Sequence, residues 1–293
     1  MEDIERRPIV SYEDQRALSG RGYEVVRLLG EGAFSKVVLV RKSALTQLQH
    51  TGERRDGLQT EGFTDNVACK ISHQNGLALR EAETLAGIDH PLFPKYFDVW
   101  REGEKVFLLM EYIRGSSLEA LLARRGGFSD AQIVQIGLEL AEGLKYLHEM
   151  PKPILFRDLK PANIMLRQDG RVKLLDLGCV CTIGPQADLA GTPGYASPEQ
   201  LKSGSVLTPA SDVYGLGKTL HAMASRKCGK GLRQVIAACI KERPQERLPD
   251  MRGVISALTA LERGSGRSQK PGISGQAHIV CLNNVWESAY KRV

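Results

Sequence analysis

Within nine residues, Leu155 to Asn163 (L-F-R-D-L-K-P-A-N), the chain places a carboxylate, a cation and a carboxamide: Asp158, Lys160 and Asn163. Transfer of a phosphoryl group to a hydroxyl needs groups of these kinds. A carboxylate orients the attacking hydroxyl and takes its proton, a cation meets the moving phosphoryl group, and an oxygen ligand holds Mg2+. So short a stretch can match by accident, and the reading depends on companion stretches arriving in the right order.

Upstream lie G-E-G-A-F-S-K-V from Gly30 to Val37, V-A-C-K ending at Lys70, and an acidic helix candidate carrying Glu81. Downstream lie D-L-G from Asp176 to Gly178, G-T-P-G-Y-A-S-P-E from Gly191 to Glu199, and D-V-Y-G-L-G from Asp212 to Gly217. A glycine pattern alone also occurs in plain turns. In this order, however, the blocks resemble the eukaryotic-like (Hanks-type) Ser/Thr protein kinases, particularly their bacterial members, over residues 20 to 262. The resemblance implies an α+β, bilobal protein-kinase fold: a five-stranded antiparallel N-lobe plus one helix over 21–112, and a mainly helical C-lobe over 116–262, with ATP clamped between them. It implies ATP and Mg2+ as cofactors, protein substrates carrying Ser or Thr hydroxyls, and autophosphorylation.

The same resemblance assigns roles. Asp158, Lys160 and Asn163 are the catalytic residues, with Asn163 and Asp176 as Mg2+ ligands. Leu29, Gly30, Gly32, Val37, Ala68, Lys70, Glu81, Met110, Glu111, Ile113 and Met165 bind the nucleotide. Gly30 and Gly32 let the backbone approach phosphates, Lys70 holds the α- and β-phosphates, and Glu81, preferred over Glu83 for its spacing from His90-Pro91, holds Lys70. Val37 faces the adenine, Met110 guards the back of its pocket, Glu111 to Ile113 form the hinge and Met165 the floor. Thr192 bonds the catalytic Asp and Lys, Asp212 orients the catalytic loop, and Glu199 pairs with Arg247. Arg157 pairs in related kinases with an activation-loop phosphate, for which Thr182 is the candidate. Lys160, two residues after Asp158, is the Ser/Thr-type arrangement. Three departures stand out: Ser35 replaces the third glycine, Phe156 replaces a histidine, and only K-C-G-K-G precedes Leu232 where a further docking helix is usual.

Elements that can carry these groups are legible in the residue pattern. Y-E-V-V-R-L-L-G and K-V-V-L-V-R read as two strands around a Gly-rich turn. Asn66 to Ser72, F-P-K-Y-F-D-V-W and K-V-F-L-L-M-E-Y-I read as three more. Of the 33 positions from Val37 to Lys70, those from Thr46 to Asp65 lack hydrophobic period and read as a surface loop. The chain turns helical at Ser116, and Ala131 to His148 shows 3.6-residue periodicity, with His148 as a structural residue. Val172 to Leu177 is a short apolar strand, and another helix runs from Ser211 to about Arg226. Residues 1–20 read as a flexible lead-in. Arg263 to Gln276 has linker composition, and His278 to Val293 reads as strand, turn and helix start.

The bulk properties fit this picture. A chain of 293 residues holds one large two-lobed domain or two ordinary ones. Its 42% hydrophobic and 25% charged residues include no apolar run long enough to span a bilayer. Met1 to Arg7 is charged with no apolar stretch following, so a cytoplasmic location with free thiols is expected. Cys179-x-Cys181 lacks zinc-site spacing. The net charge of +6, spread over Arg124-Arg125, Arg226 to Arg233 and Arg243 to Arg247, has no interleaved aromatics and points away from nucleic acid. Three alternatives remain at this level. A nucleotide-binding pseudokinase would explain Phe156, a small-molecule phosphotransferase would explain the missing helix, and an interaction module would leave the catalytic residue types idle.

Overall fold

The computed structural model of the protein describes residues 9–32, 34–43, 66–73, 75–186 and 188–265. The expected loop over 46–65 and the strand-turn-helix tail lie outside these residues. The chain divides into two compact units, Met1–Ile88 with Pro94–Tyr112, and Asp89–Phe93 with Ile113–Val293.

The first unit opens on a helix, α1 (Tyr12–Gly20), where a loose lead-in was expected. Ser11 caps it by accepting the Asp14 N–H at 3.1 Å, which satisfies one of the orphan donors of the first turn. Its inner face carries Ala17 and Leu18 into a core with Val10, and Lys105 Nζ donates to the buried Asp14 at 2.6 Å. The period of this helix is masked in the sequence by its polar majority, and the apolar face is only those few residues wide.

Among the described residues, five strands follow around one intervening helix: β1 (Tyr23–Glu31), β2 (Ser35–Lys42), β3 (Asn66–Ser72), α2 (Asn75–Ala86), β4 (Tyr96–Glu102) and β5 (Lys105–Glu111). They form one antiparallel sheet in the order β1-β2-β3-β5-β4. Because side chains alternate along a strand, each face takes every second residue. Val38, Cys69 and Leu109 are in register and join Val40, Val67, Ile71 and Phe107 in the core covered by α1. Trp100 stacks on Phe107 at 5.1 Å between ring centroids. The opposite face is thereby left with Val37, Ala68, Lys70 and Met110.

In the second unit, Asp89–Phe93 packs with the later chain, an association not foreseen from the sequence. Leu92 C=O accepts the Leu174 N–H at 2.7 Å and Phe93 C=O accepts Lys173 Nζ at 2.9 Å. The elements run β6 (Gly115–Ser117), α3 (Leu118–Arg125), α4 (Asp130–His148), β7 (Ile154–Leu155), β8 (Ile164–Arg167), β9 (Val172–Leu174), β10 (Cys181–Thr182), β11 (Gly184–Pro185), β12 (Val206–Leu207), α5 (Pro209–Met223), α6 (Lys230–Cys239) and α7 (Met251–Ser265). Ser116 is thus a strand residue, and the helix begins two residues later, at Leu118, because Ser117 serves as its N-cap. The last helix continues through Ser265, into the stretch read as linker.

Helix α4 starts with a Ser129–Gln132 capping box and buries Ile133, Ile136, Leu140, Leu144 and Leu147 at three- and four-residue steps. At Gly143 a Cβ would lie 2.1 Å from Leu92 Cδ2, so glycine is what lets the 89–93 segment seat against the helix. Between α5 and α6 run only residues 224–229, with no further helix among the described residues. No helix among the described residues is long and apolar enough to cross a membrane.

Candidate active site

In the first unit, Lys70 Nζ donates to both oxygens of Glu81, at 2.8 and 2.7 Å. Glu81 comes from α2, so a strand and a helix are pinned through one ammonium group held at a defined point on the sheet. Lys70 faces Val37 across β2–β3, Val37 is opposite Gly30 in β1, and Ala68 is opposite Met110 in β5. Leu29 falls at the β1 irregularity between Leu28 and Gly30. Gly32 N–H closes the turn by donating to Ser35 C=O at 2.7 Å. A Cβ at Gly30 would meet no atom within 4 Å, and one at Gly32 only Ser35. The packing of this unit does not require glycine at either place, which leaves room for a ligand to approach the backbone closely, as phosphates do. Glu111 ends β5 with its N–H on Lys95 C=O at 2.9 Å. The hinge expectation is split by the division of the chain, since Ile113 belongs to the second unit.

In the second unit, the loop between β7 and β8 carries Asp158, Lys160 and Asn163. Asp158 is buried, and both its oxygens are held. Oδ1 accepts from the Thr192 hydroxyl at 2.6 Å and from the Thr192 N–H at 3.0 Å. Oδ2 accepts from Asn163 Nδ2 at 3.0 Å and lies 2.8 Å from Lys160 Nζ, which also donates to Thr192 Oγ1 at 2.6 Å. Three residues from two segments, through four contacts, thus fix one carboxylate.

Beneath this loop lies Asp212, at the N-terminal turn of α5. Its Oδ2 accepts from Phe156 N–H at 2.8 Å and from His148 Nε2 at 2.8 Å, and its Oδ1 accepts from Arg157 N–H at 2.9 Å. These bonds hold Arg157 at a φ of 69°, a left-handed value costly for a side-chain-bearing residue. Phe156 is fully buried, so it fills core volume.

Pairing of β8 with β9 leads the chain from the loop on to Asp176. Leu175 N–H donates to Asn163 C=O at 2.8 Å, which brings Asp176, at a φ of 65°, next to the end of the loop. Both side-chain bonds of Asn163 use its nitrogen, one to Asp158 C=O at 2.9 Å and one to Asp158 Oδ2, so its carboxamide oxygen is the end that a cation would meet. No cluster of three or more His, Cys, Asp or Glu able to hold a metal occurs among the described residues. A donor set of one carboxylate and one carboxamide fits a hard cation completed by phosphate and water oxygens, the way Mg2+ is commonly held. Met165 lies in β8 opposite Ser117 and Lys173. Cys179, just past Asp176, is pushed up to about 11 by burial and then by the Asp158 and Asp176 charges.

The segment after Asp176 is tied down at three places. Cys181 and Thr182 pair with Leu155 and Ile154, Gly184 and Pro185 pair with Leu207 and Val206, and Gln200 Nε2 donates to Arg157 C=O at 2.8 Å and Ala190 C=O at 3.2 Å. The Arg157 guanidinium meets Asp188. Thr182, the residue expected there, is exposed in β10 and is not brought to Arg157. Glu199 takes a two-pronged bond from Arg247, at 2.7 and 2.8 Å. Asp188 and Gln200 were the members that residue reading passed over, whereas His148, read as a structural residue, bonds Asp212. The first two sit in loops without periodicity, and their partners are 31 and 43 residues away.

A family model described as protein kinase domain matches residues 23–231. The chain is 32% identical over 212 residues to the mouse serine/threonine-protein kinase Nek4, covering 70% of this chain and 25% of that protein. It is 29% identical over 212 residues to mouse protein kinase C eta type (69% and 28%) and 30% identical over 219 residues to human cAMP-dependent protein kinase catalytic subunit PRKX (74% and 55%). The chain thus spans less than a third of the first two relatives' length and about half of the third's. With the family model covering most of the chain, from the first strand to the start of α6, the chain belongs to the protein kinase domain family.

Proposed function

We propose that the protein transfers the γ-phosphoryl group of ATP to Ser or Thr hydroxyls of proteins, with Asp158 as the residue that orients the hydroxyl and receives its proton. The observation that carries this reading is the fixing of Asp158 by Thr192, Lys160 and Asn163. A carboxylate offers about four acceptor positions, and the four contacts from these residues occupy them. An arriving hydroxyl must displace one. Lys160 is the partner able to leave, since its side chain is partly exposed and its remaining N–H bonds can turn to phosphoryl oxygens as Asp158 takes the hydroxyl. Thr192 then keeps the carboxylate aimed.

In this reading Lys70, fixed by Glu81, meets nucleotide phosphates in the first unit, and Gly30 and Gly32 leave them room. Asn163 and Asp176 hold Mg2+, which when bound offsets the negative charge of the phosphates. Ser/Thr preference rests on Lys160 and on the Ser/Thr kinase names among the relatives. Purified protein incubated with labelled ATP and a generic basic protein tests the assignment. Label on Ser or Thr, absent with Asp158→Asn, is expected. Hydrolysis or binding of ATP without label on any protein would favour a different phosphate chemistry.

A further inference from the structure

The Arg157 side chain is 2% exposed, lies directly before Asp158 in the chain, and is held in a strained backbone state. Both its Nη atoms lie 3.3 Å from the same oxygen of Asp188, and Nη2 lies 3.4 Å from Asp188 C=O. Its Nε is buried with no partner. A guanidinium buried this far needs a countercharge, and removing the partner of a buried charge is costly. Asp212 binds only the Arg157 backbone. Among the described residues Asp188 is the one carboxylate bonded to the guanidinium.

The Asp188 side chain is 68% exposed, but its backbone leads into the contacts of the catalytic loop. Two residues on, Ala190 C=O is tied through Gln200 to Arg157 C=O. Gly191 follows at a φ of 119°, where a Cβ would lie 3.2 Å from Arg157 C=O. Thr192 then makes its two bonds to Asp158. The five residues from 188 to 192 form a strap with one end on Arg157 and the other on Asp158.

Resting on the kinase reading above, we propose that Asp188 is a positioning residue. It is a built-in anion that fixes the strap on Arg157 and so sets Thr192 on Asp158 without any phosphate on the segment from Cys179 to Ala190. Nothing then has to be added to Thr182 for the catalytic carboxylate to be aimed.

The test uses the full chain after phosphatase treatment, with Asp188→Ala, Asp188→Asn, Asp188→Glu, Arg157→Ala and the Arg157→Ala/Asp188→Ala double variant. Treated wild type is expected to keep its kcat. Asp188→Ala and Asp188→Asn should lose about tenfold or more in kcat with KM for ATP within about twofold, because two groups in direct contact couple strongly. Asp188→Glu should recover most of the rate, and adding Asp188→Ala to Arg157→Ala should cost nothing further. A kcat for Asp188→Ala equal to wild type, additive losses in the double variant, or a wild type that transfers label before phosphatase treatment and none after it would each overturn the proposal. Amide hydrogen exchange over residues 188–192 gives a reading that does not depend on transfer. Exchange should quicken about tenfold or more in Asp188→Ala and stay slow in Asp188→Glu. Unchanged protection overturns the strap, whereas quickened exchange in a chain that transfers no label from ATP sinks the kinase reading and leaves the strap standing.

Discussion

Replacing Asp158 by Asn keeps the shape of the side chain and takes away the charge proposed to receive the proton. Transfer should fall by roughly 10²- to 10⁴-fold while ATP affinity changes little, since Asp158 holds no nucleotide atom in the proposed reading. Transfer within a few-fold of wild type would move the proton acceptor elsewhere. Asp176→Asn should behave differently, weakening ATP binding in a Mg2+-dependent way because it removes one of the two proposed cation ligands. A titration of ATP with and without Mg2+ separates the two variants. These residues were readable because their chemistry is local: Asp158, Lys160 and Asn163 sit within six positions of one another. Lys70 and Glu81 were readable as types but needed β3 and α2 to be shown meeting. Asp188 was not readable, because a single aspartate between Ala187 and Leu189 has no pattern until Arg157 is seen beside it.

Helix α1 shows how an element can hide from periodicity and still be structural. Its sequence is mostly polar, and its contribution lies in Ala17 and Leu18 buried under the sheet and in the contact of Lys105 with Asp14. Leu18 has no exposed surface, so Leu18→Ala should lower unfolding free energy by roughly 2–5 kcal/mol through lost burial and the cavity left behind. Urea melts followed by far-UV circular dichroism measure it. A loss of under about 0.5 kcal/mol, the size of a surface substitution, would mean that α1 does not brace the sheet. The strands, by contrast, were legible because alternation sorts Val38, Cys69 and Leu109 from Val37, Lys70 and Met110 along each strand. That alternation both builds the core and separates it from the residues proposed to meet the nucleotide. Helix α4 was legible for the analogous reason at a period of 3.6. What no local pattern contained was the return of Asp89–Phe93 to the second unit, which is decided by Gly143 leaving room for Leu92.

Across the chain, two buried carboxylates brace different units, and both make stability fall in acid. Burial alone would raise Glu199, but the Arg247 hydrogen bonds and charge, with help from Ser211, outweigh it and hold the carboxyl below its usual range. Asp14 follows the same logic, with burial opposed and exceeded by Lys105 and Ser11. For a group whose folded value lies below its unfolded one, the stabilisation is complete above the unfolded value and disappears as pH falls through the folded value. Unfolding free energy should therefore be flat near neutrality and decline below the ordinary carboxylate range, and the decline should be shallower in Glu199→Gln. Arg247 makes the larger prediction. Its side chain has no exposed surface, and its five N–H groups are all used: two on Glu199, and one each on Ala210, Lys241 and Glu242 C=O groups. Arg247→Met leaves Glu199 buried without its cation and should cost roughly 3–5 kcal/mol. Arg247→Met with Glu199→Gln removes the stranded charge and should recover part of that loss. Denaturant melts at neutral pH would show it, and a double variant as unstable as Arg247→Met alone would place the cost in the three lost carbonyl bonds instead of the charge. Either outcome bears on transfer too, because Glu199 lies one residue before Gln200, whose amide ties Arg157 to Ala190.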